Sequence, residues 1–208
     1  MSDLYLGDFA KVLDFIPDET ADAIITDPPW SDCFMDCWID LGKFAEKKLK
    51  PGGWLIAYSG NKHLPEVMNK LSLTLNYYWT ICLFYRDMIQ TPFWLDLAIR
   101  WKPILVYYKI PKKPLHKKNQ LDYIVSDKKE KNNHKWQQSE SGVRRLIEIF
   151  TVENDFIIEP FAGSGTTILV AKEMNRKVVG AEIDKNEYEK ALQRIEKHNQ
   201  NKKRFFHL

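Results

Sequence analysis

Two stretches of this 208-residue chain carry residue types that could do chemistry together. The first is Asp27-Pro28-Pro29-Trp30. Two prolines in a row neither continue a strand ladder nor begin an ordinary helix, so the backbone is held extended there. Neither proline donates a hydrogen bond, yet each keeps its carbonyl. The tetrapeptide therefore offers acceptors, the Asp27 oxygens and the Pro28 carbonyl, beside one large aromatic face. Acceptors beside a flat surface suit an amino group on a planar ring, such as the exocyclic amine of a nucleobase. A solvated strand-end aspartate in a Pro-Pro turn with a buried tryptophan is the other reading, and four residues alone do not separate the two.

The second stretch is Glu159-Pro160-Phe161-Ala162-Gly163-Ser164-Gly165-Thr166-Thr167. Glycines between a strand and a helix let the backbone turn sharply and come close to a ligand. Many α/β proteins need such a turn merely to pack a helix on a strand. About twenty residues on, however, an acidic residue stands at the end of the next strand, Glu182, the placement that binds ribose hydroxyls in nucleotide folds. Asp184 could fill the same role or face an adenine edge. The loop lacks the Gly-Lys-Ser/Thr of a phosphate loop and the third glycine of the dinucleotide fingerprint. A ligand with an adenosine half and no pyrophosphate, such as S-adenosylmethionine, fits better than NAD.

Both stretches need strands to carry them. Ala23-Ile24-Ile25 reads as a buried parallel strand running into Asp27, and a carboxylate at such an end sits where open α/β sheets place their ligand crevice. Leu4 to Leu6 reads as a strand ending at Gly7-Asp8, followed by a helix whose apolar stripe runs from Phe9 to Ile16. Phe34, Trp38, Leu41, Ala45 and Leu49 line a second helix that Pro51-Gly52-Gly53 terminates, and Trp54 to Tyr58 is the next strand. A helix is expected near His63 to Leu71, then strands at Tyr77–Tyr85 and Ile104–Ile110, the later pair with antiparallel character. Val143, Leu146, Ile147 and Phe150 form a helical stripe once order returns at Trp136. Strands follow at Phe156–Ile158 and Lys177–Ala181, then a last clear helix through Tyr188, Leu192 and Ile195. A final short strand is expected at Arg204-Phe205-Phe206. This alternation predicts an α/β fold, a doubly wound, mostly parallel sheet of seven to eight strands in one domain spanning residues 1–208.

Composition narrows the classes. Hydrophobic residues make up 44% and charged residues 28%, ordinary for a globular protein. No apolar run approaches the ~20 residues that span a bilayer. No charged-then-apolar leader follows Met1, so a cytoplasmic location is expected. Cys33, Cys37 and Cys82 are odd in number and lack the partners of a metal site, which reads as reduced thiols and no metal. The net charge of +3 says little about partners, but its distribution says more. Nine lysines fall between Lys109 and Lys135 against three acids. Residues 111–135 are therefore expected to form an exposed basic loop, whether a solubilising insertion or a phosphate-binding segment through Lys112, Lys113, Lys117 and Lys118. Arg86, Arg100 and Lys102, near strand ends, could add contacts.

With both stretches placed, the chain resembles the amino-group DNA methyltransferases of the β class, over nearly its whole length. Those enzymes carry Asp-Pro-Pro-aromatic, then a variable recognition segment, then Asp-Pro-Phe-x-Gly-Ser-Gly-Thr-Thr and a strand ending Gly-x-Glu-x-Asp. Here these are Asp27–Trp30, Glu159–Thr167 with Glu in place of Asp, and Gly180–Asp184. The circular order of the motifs is characteristic of that class. The resemblance implies a Rossmann-like methyltransferase fold and S-adenosylmethionine as cofactor. It would be held by Asp27, Glu159, Phe161, Ala162, Gly163, Ser164, Gly165, Thr166, Thr167, Glu182 and Asp184. By the same resemblance Asp8, in Gly7-Asp8, would reach the cofactor's adenine. The family's His-Pro-x-Gln-Lys-Pro aligns with His134–Ser139, keeping the histidine and first glutamine and leaving Gln138 and Ser139 as polar contacts for the cofactor.

The implied activity is methylation of an exocyclic amino group on a base flipped out of duplex DNA, with Asp27, Pro28, Pro29 and Trp30 as the catalytic set. Aspartate at the first position is commoner with adenine N6 than with cytosine N4 in this family, which favours adenine. Cytosine N4 and RNA are the alternatives within the enzyme class. A non-catalytic cofactor-binding subunit and a plain nucleotide-binding module are the alternatives outside it. A recognition segment this short implies a short site, a homodimer, or a separate specificity or restriction partner.

Overall fold

Ala21–Thr26 (β2) is buried at nearly every position. Ile24 faces one apolar core, while Ala23 and Ile25 face another. A strand covered on both faces requires helices on both sides, and the rest of the chain supplies them. The computed structural model describes residues 3–30, 34–86, 89–92, 95–126 and 139–205. In chain order the other elements are β1 (Leu4–Leu6), α1 (Phe9–Val12), α2 (Cys37–Lys48), β3 (Leu49–Tyr58), α3 (Leu64–Leu71), β4 (Asn76–Tyr85), β5 (Trp101–Tyr108), β6 (Tyr123–Ser126), α4 (Glu140–Phe150), β7 (Phe156–Glu159), α5 (Thr166–Glu173), β8 (Lys177–Glu182) and α6 (Lys185–Phe205).

These build one eight-stranded sheet in the order β1-β8-β7-β2-β3-β5-β4-β6. Only β5 runs against its neighbours, pairing antiparallel with both β3 and β4. The doubly wound, mostly parallel reading of the sequence is what the chain adopts. Phe9, Trp38, Leu41, Val67 and Leu71 of α1, α2 and α3 cover one face. Val143, Leu146, Val170 and Ala171 of α4 and α5 cover the other, and Ala191 and Ile195 of α6 close over α5 and β1.

Several boundaries differ from the sequence reading. The α2 helix starts at Cys37, leaving Phe34 half exposed outside it. It passes into β3 at Leu49 with no intervening turn. Pro51-Gly52-Gly53 therefore lies within β3, where the left-handed Gly52 (φ 83°) accompanies a register shift between Ala21 and Ala23. The α1 helix is only four residues long, although Leu13 and Ile16 beyond it are still buried. The lysine-rich stretch is not loop throughout: Tyr123–Ser126 adds β6 as a parallel strand beside β4. Ile124 turns inward there at 5% exposure, an apolar anchor that the surrounding charge masked. Residues 127–138, including Trp136, and Cys33 lie outside the described residues. No strand forms at Arg204–Phe205, where α6 simply continues; Phe206 lies outside the described residues.

Lys48 closes the side of the sheet away from the carboxyl ends. Its ammonium is buried, and it donates to the Asp18 carboxylate (2.9 Å) and to the Asp14 (3.1 Å) and Ile16 carbonyls. Three acceptors for three donors is what makes a buried lysine tolerable.

Candidate active site

The chain leaves β2 through α2 toward β3, and leaves β7 through α5 toward β8, in opposite directions along the sheet. That divergence opens a crevice at the carboxyl ends of the two adjacent strands. Asp27 follows β2 and Glu159 ends β7, so both carboxylates stand at this one place.

Their environments separate them. Glu159 is 3% exposed. Thr26 donates its hydroxyl hydrogen to Glu159 Oε1, and the Phe161 N–H donates to the same oxygen at 3.1 Å. Burial pushes the Glu159 carboxyl up to about 8, outweighing hydrogen bonds from Thr26, Thr167 and Phe161, and the nearby charge of Asp27 pushes the same way. At neutral pH Glu159 is mainly the protonated brace beneath the loop, and Asp27 is the more open carboxylate. The sequence placed Glu159 among ligand contacts; in the structure its side chain supports the loop from within. Ala162, Thr166 and Thr167 are likewise buried, so their side chains pack and α5 begins beneath the loop surface.

The loop itself is held from both ends. Gly163 (φ 49°) and Gly165 (φ 76°) take left-handed conformations that glycine adopts without penalty. A methyl group built on Gly163 would meet no heavy atom within 4 Å, so the turn borders open space. Glu182 Oε2 accepts from the Gly163 N–H and Oε1 from the Asp184 N–H, both at 2.8 Å. The Glu182 carboxylate is thus fixed at the rim of that space, with lone pairs remaining for a ligand. The Asp184 side chain is used differently, accepting from the Asn186 and Glu187 N–H groups at the start of α6. Asp8 caps α1 through the Ala10 N–H (2.9 Å), and Ser139 caps α4 through the Gly142 N–H (3.3 Å). Gln138 lies outside the described residues. Sequence reasoning missed Arg194 of α6, which donates to the Ser164 carbonyl and the Thr166 hydroxyl, each at 3.0 Å, and to Glu140 at 2.6 Å.

On the other side of Asp27 lies a cavity of about 910 Å³. Asp27, Pro28, Pro29 and Trp30 form its floor together with Ser59 and Tyr85. Its outer wall comes from the connection between β4 and β5, through Gln90, Pro92, Leu95 and Ile99. Trp30 packs against both cores and stands beside Gly60, where a methyl group would come within 3.7 Å of the indole. Lys102, at the start of β5, reaches in: its Nζ lies 4.0 Å from Asp27 Oδ2, 4.2 Å from the Trp30 ring centre and 5.2 Å from that of Tyr58. Burial first and the Asp27 charge second push the hydroxyls of Tyr58 and Tyr85 up, so both stay protonated across the neutral range. The sequence assigned Tyr58 and Tyr85 no part in the site and took Lys102 only for a strand-end nucleic-acid contact; the structure places it beside Asp27. Only the antiparallel β3–β5 pairing, Tyr58 against Ile104, brings Lys102 to the carboxyl rim.

The basic candidates divide. Arg86 directly follows β4, next in sequence to Tyr85, which lines the cavity. Lys112 and Lys113 lie at the opposite end of the strands. Lys112 Nζ stands 5.1 Å from the Tyr78 ring, and the Lys113 side chain covers Gly52 at the beginning of β3. Lys117 and Lys118 are exposed on the way to β6. The four lysines are therefore not gathered around Asp27.

Comparison with known proteins gives a consistent picture. Residues 21–193 match the family model described as DNA methylase. The type II methyltransferase M.HindIII of Haemophilus influenzae is 36% identical over 97 residues, 46% of this chain and 31% of that protein. The type II methyltransferase M.HpaI of Haemophilus parainfluenzae is 24% identical over 89% of this chain and 71% of that protein. The chain thus spans under a third of the first relative and about seven-tenths of the second. Among solved structures, the crystal structure of an M1.HpyAVI–SAM complex superposes with a TM-score of 0.78, covering 94% of this chain and 99% of that one at 23% identity. That likeness establishes the shared fold.

Proposed function

This chain belongs to the DNA methylase family, and from that premise we propose that it transfers a methyl group from S-adenosylmethionine to the N6 amino group of adenine in duplex DNA. The observation that carries the proposal is the position of Asp27. It stands at the switch point of the sheet, with the glycine loop on one side and the 910 Å³ cavity on the other.

The loop side fits an adenosine-bearing cofactor. Open space borders Gly163, and the Glu182 carboxylate is braced at its rim as an acceptor for a ribose diol. Phe161 to Gly165 would line the cofactor with backbone and with the Phe161 ring, while Asp8 and Asp184 reach it only with lone pairs left over from capping. Ser139 is in the same position at α4, and Gln138 joins the set by family resemblance. Bound there, S-adenosylmethionine supplies an electrophilic methyl group.

The chain's own residues do the rest. Trp30 offers a face for an extruded base, and stacking of that kind is worth ~1–3 kcal/mol per base. Asp27 and the Pro28 carbonyl accept the two amino hydrogens, which aims the nitrogen lone pair away from them. Asp27 is also the group positioned to take the proton that nitrogen loses on methylation. Positioning and charge stabilisation account for the rate, with no covalent adduct to the protein. Arg86, which follows Tyr85 at the end of β4, would contact a phosphate. Lys112, Lys113, Lys117 and Lys118 would contribute only to DNA that extends past the site. Adenine is favoured over cytosine by aspartate as the first residue of the tetrapeptide.

The test is direct. The protein is incubated with S-adenosylmethionine and unmethylated duplex DNA, the DNA is digested to nucleosides, and mass spectrometry identifies the methylated base. N6-methyladenine is expected. N4-methylcytosine would keep the chemistry and overturn the base, and no methylated nucleoside would overturn duplex DNA as the substrate.

A further inference from the structure

Lys102 stands in the cavity, and the methyl transfer proposed for Asp27 and Trp30 makes no use of it. It belongs to β5, where Pro103 after it restricts its backbone to an extended conformation. Its side chain is 11% exposed, so its ammonium is held in the cavity wall. Nζ lies 4.2 Å from the Trp30 ring centre, which is the layer that a base stacked on Trp30 would occupy. In that layer it stands 4.0 Å from Asp27 Oδ2. A base stacked on Trp30 would take the space over the indole that Nζ occupies, so Nζ would meet the base at its edge on the Asp27 side.

The two side chains have opposite hydrogen-bonding character. Ionised Asp27 only accepts and Lys102 only donates. Side by side they complement an edge on which an amino group adjoins a ring nitrogen acceptor. Adenine has that edge in its N6 amine and N1, and cytosine in its N4 amine and N3. Guanine and thymine present the reverse, a carbonyl beside a ring N–H. Resting on the proposal of amino-base methylation, we infer that Lys102 is a specificity-determining residue. It donates to the ring nitrogen beside the target amine, so that the Asp27–Lys102 pair selects amino-bearing bases and rejects the others. The four-carbon stem lets Nζ withdraw from above Trp30 to the rim of the base as the base enters. In this structure the same ammonium sits beside Asp27 and over the indole, engaging both groups.

The inference separates from its parent by a two-by-two experiment. Wild type and Lys102→Met are each assayed for kcat/KM on duplexes that carry, at the mapped target position, either adenine or 1-deazaadenine. The analogue keeps the amine and loses the neighbouring acceptor. Wild type should lose about ten- to a hundredfold on the analogue, the value of a charged hydrogen bond. Lys102→Met should be slow on adenine and lose little more on the analogue. Lys102→Arg, which keeps a donor, should recover part of the discrimination. If Lys102→Met discriminates between the duplexes as wild type does, or wild type does not discriminate at all, the inference is overturned while methyl transfer stands. A wild type that methylates neither duplex overturns the parent reading and this inference with it.

Discussion

Thr26 hydrogen-bonds Glu159 across the junction of β2 and β7. The strand that delivers Asp27 and the strand that opens the glycine loop are therefore tied at their tips by side chains as well as by their ladder. Phe161 shares the same carboxylate oxygen, which carries the tie into the loop. The two halves of the site are set relative to each other by one buried carboxyl group.

That carboxyl predicts a pH dependence of stability. Burial raises Glu159 from 4.5 to about 8 in the folded chain. The folded state thus binds the proton more tightly than the unfolded state. Its contribution is full below about pH 4.5, declines as pH rises toward about 8, and is flat above. Melting wild type and Glu159→Gln across pH should show the wild-type advantage shrinking over that window. An advantage that grew with pH would mean that Glu159 is ionised in the native protein.

Thr26→Val keeps the shape and deletes the donor. With a buried acceptor left short of a partner, it should cost about 1–3 kcal/mol. Urea unfolding measures this; an unchanged midpoint would remove the hydroxyl from the account of stability.

Asp27→Ala should lower kcat by at least about 10²–10³, the scale of losing one positioned polar group. Cofactor binding, read by titration calorimetry, should survive because the glycine loop is untouched. Trp30→Ala should act on DNA capture, raising KM by the equivalent of about 1–3 kcal/mol. Normal turnover in either variant would remove that residue from the site.

Arg194 reaches the glycine loop from α6 and touches it only through the Ser164 carbonyl and the Thr166 hydroxyl. Arg194→Met should weaken cofactor binding by about five- to tenfold and leave kcat at saturating cofactor near wild type. A fall in kcat with unchanged cofactor affinity would contradict a positioning role.

Salt dependence distinguishes the two ends of the sheet. Arg86→Ala should reduce the slope of log affinity for a short target duplex against log salt by about one. Charge reversal at Lys112 and Lys113 should leave that slope unchanged for a duplex confined to the carboxyl end, and a shift would place DNA on both ends.

Much of the candidate site's layout was legible in the sequence because its parts are local. Asp27 announces itself through two prolines and a tryptophan, and the Gly163 turn through its spacing to Glu182. Element order followed from periodicity, since each strand and helix buries a stripe of its own. What escaped is what pairing across the sheet creates. Lys102 reads as a strand-end cation that could touch nucleic acid, and its place beside Asp27 and Trp30 emerges only when β5 aligns antiparallel with β3. Arg194 reads as one more charge on a polar helix until α6 packs beside the loop. Ile124 shows why β6 was missed: one inward apolar residue suffices on an edge strand, too little periodicity to rise above neighbouring lysines. Acidic residues at strand ends were read as ligand contacts, yet Asp8 and Asp184 first satisfy helix N–H groups, a competing use of the same chemistry.

The cavity has a floor and a wall of different kinds. The floor lies at the carboxyl ends of β2, β3 and β4, strands of an eight-stranded ladder. In the wall, backbone pairs with backbone between Gln90 and Ile99, outside that ladder. Amide hydrogens at Ile24, Ile25 and Ile56 should exchange with solvent only when the whole domain opens, whereas those at Gln90 and Ile99 should exchange through local excursions of much lower free energy. Under the proposed function, admission of a base would then draw on the wall and on the Lys102 side chain, on a faster clock than unfolding, while the acceptors at the strand ends keep their alignment.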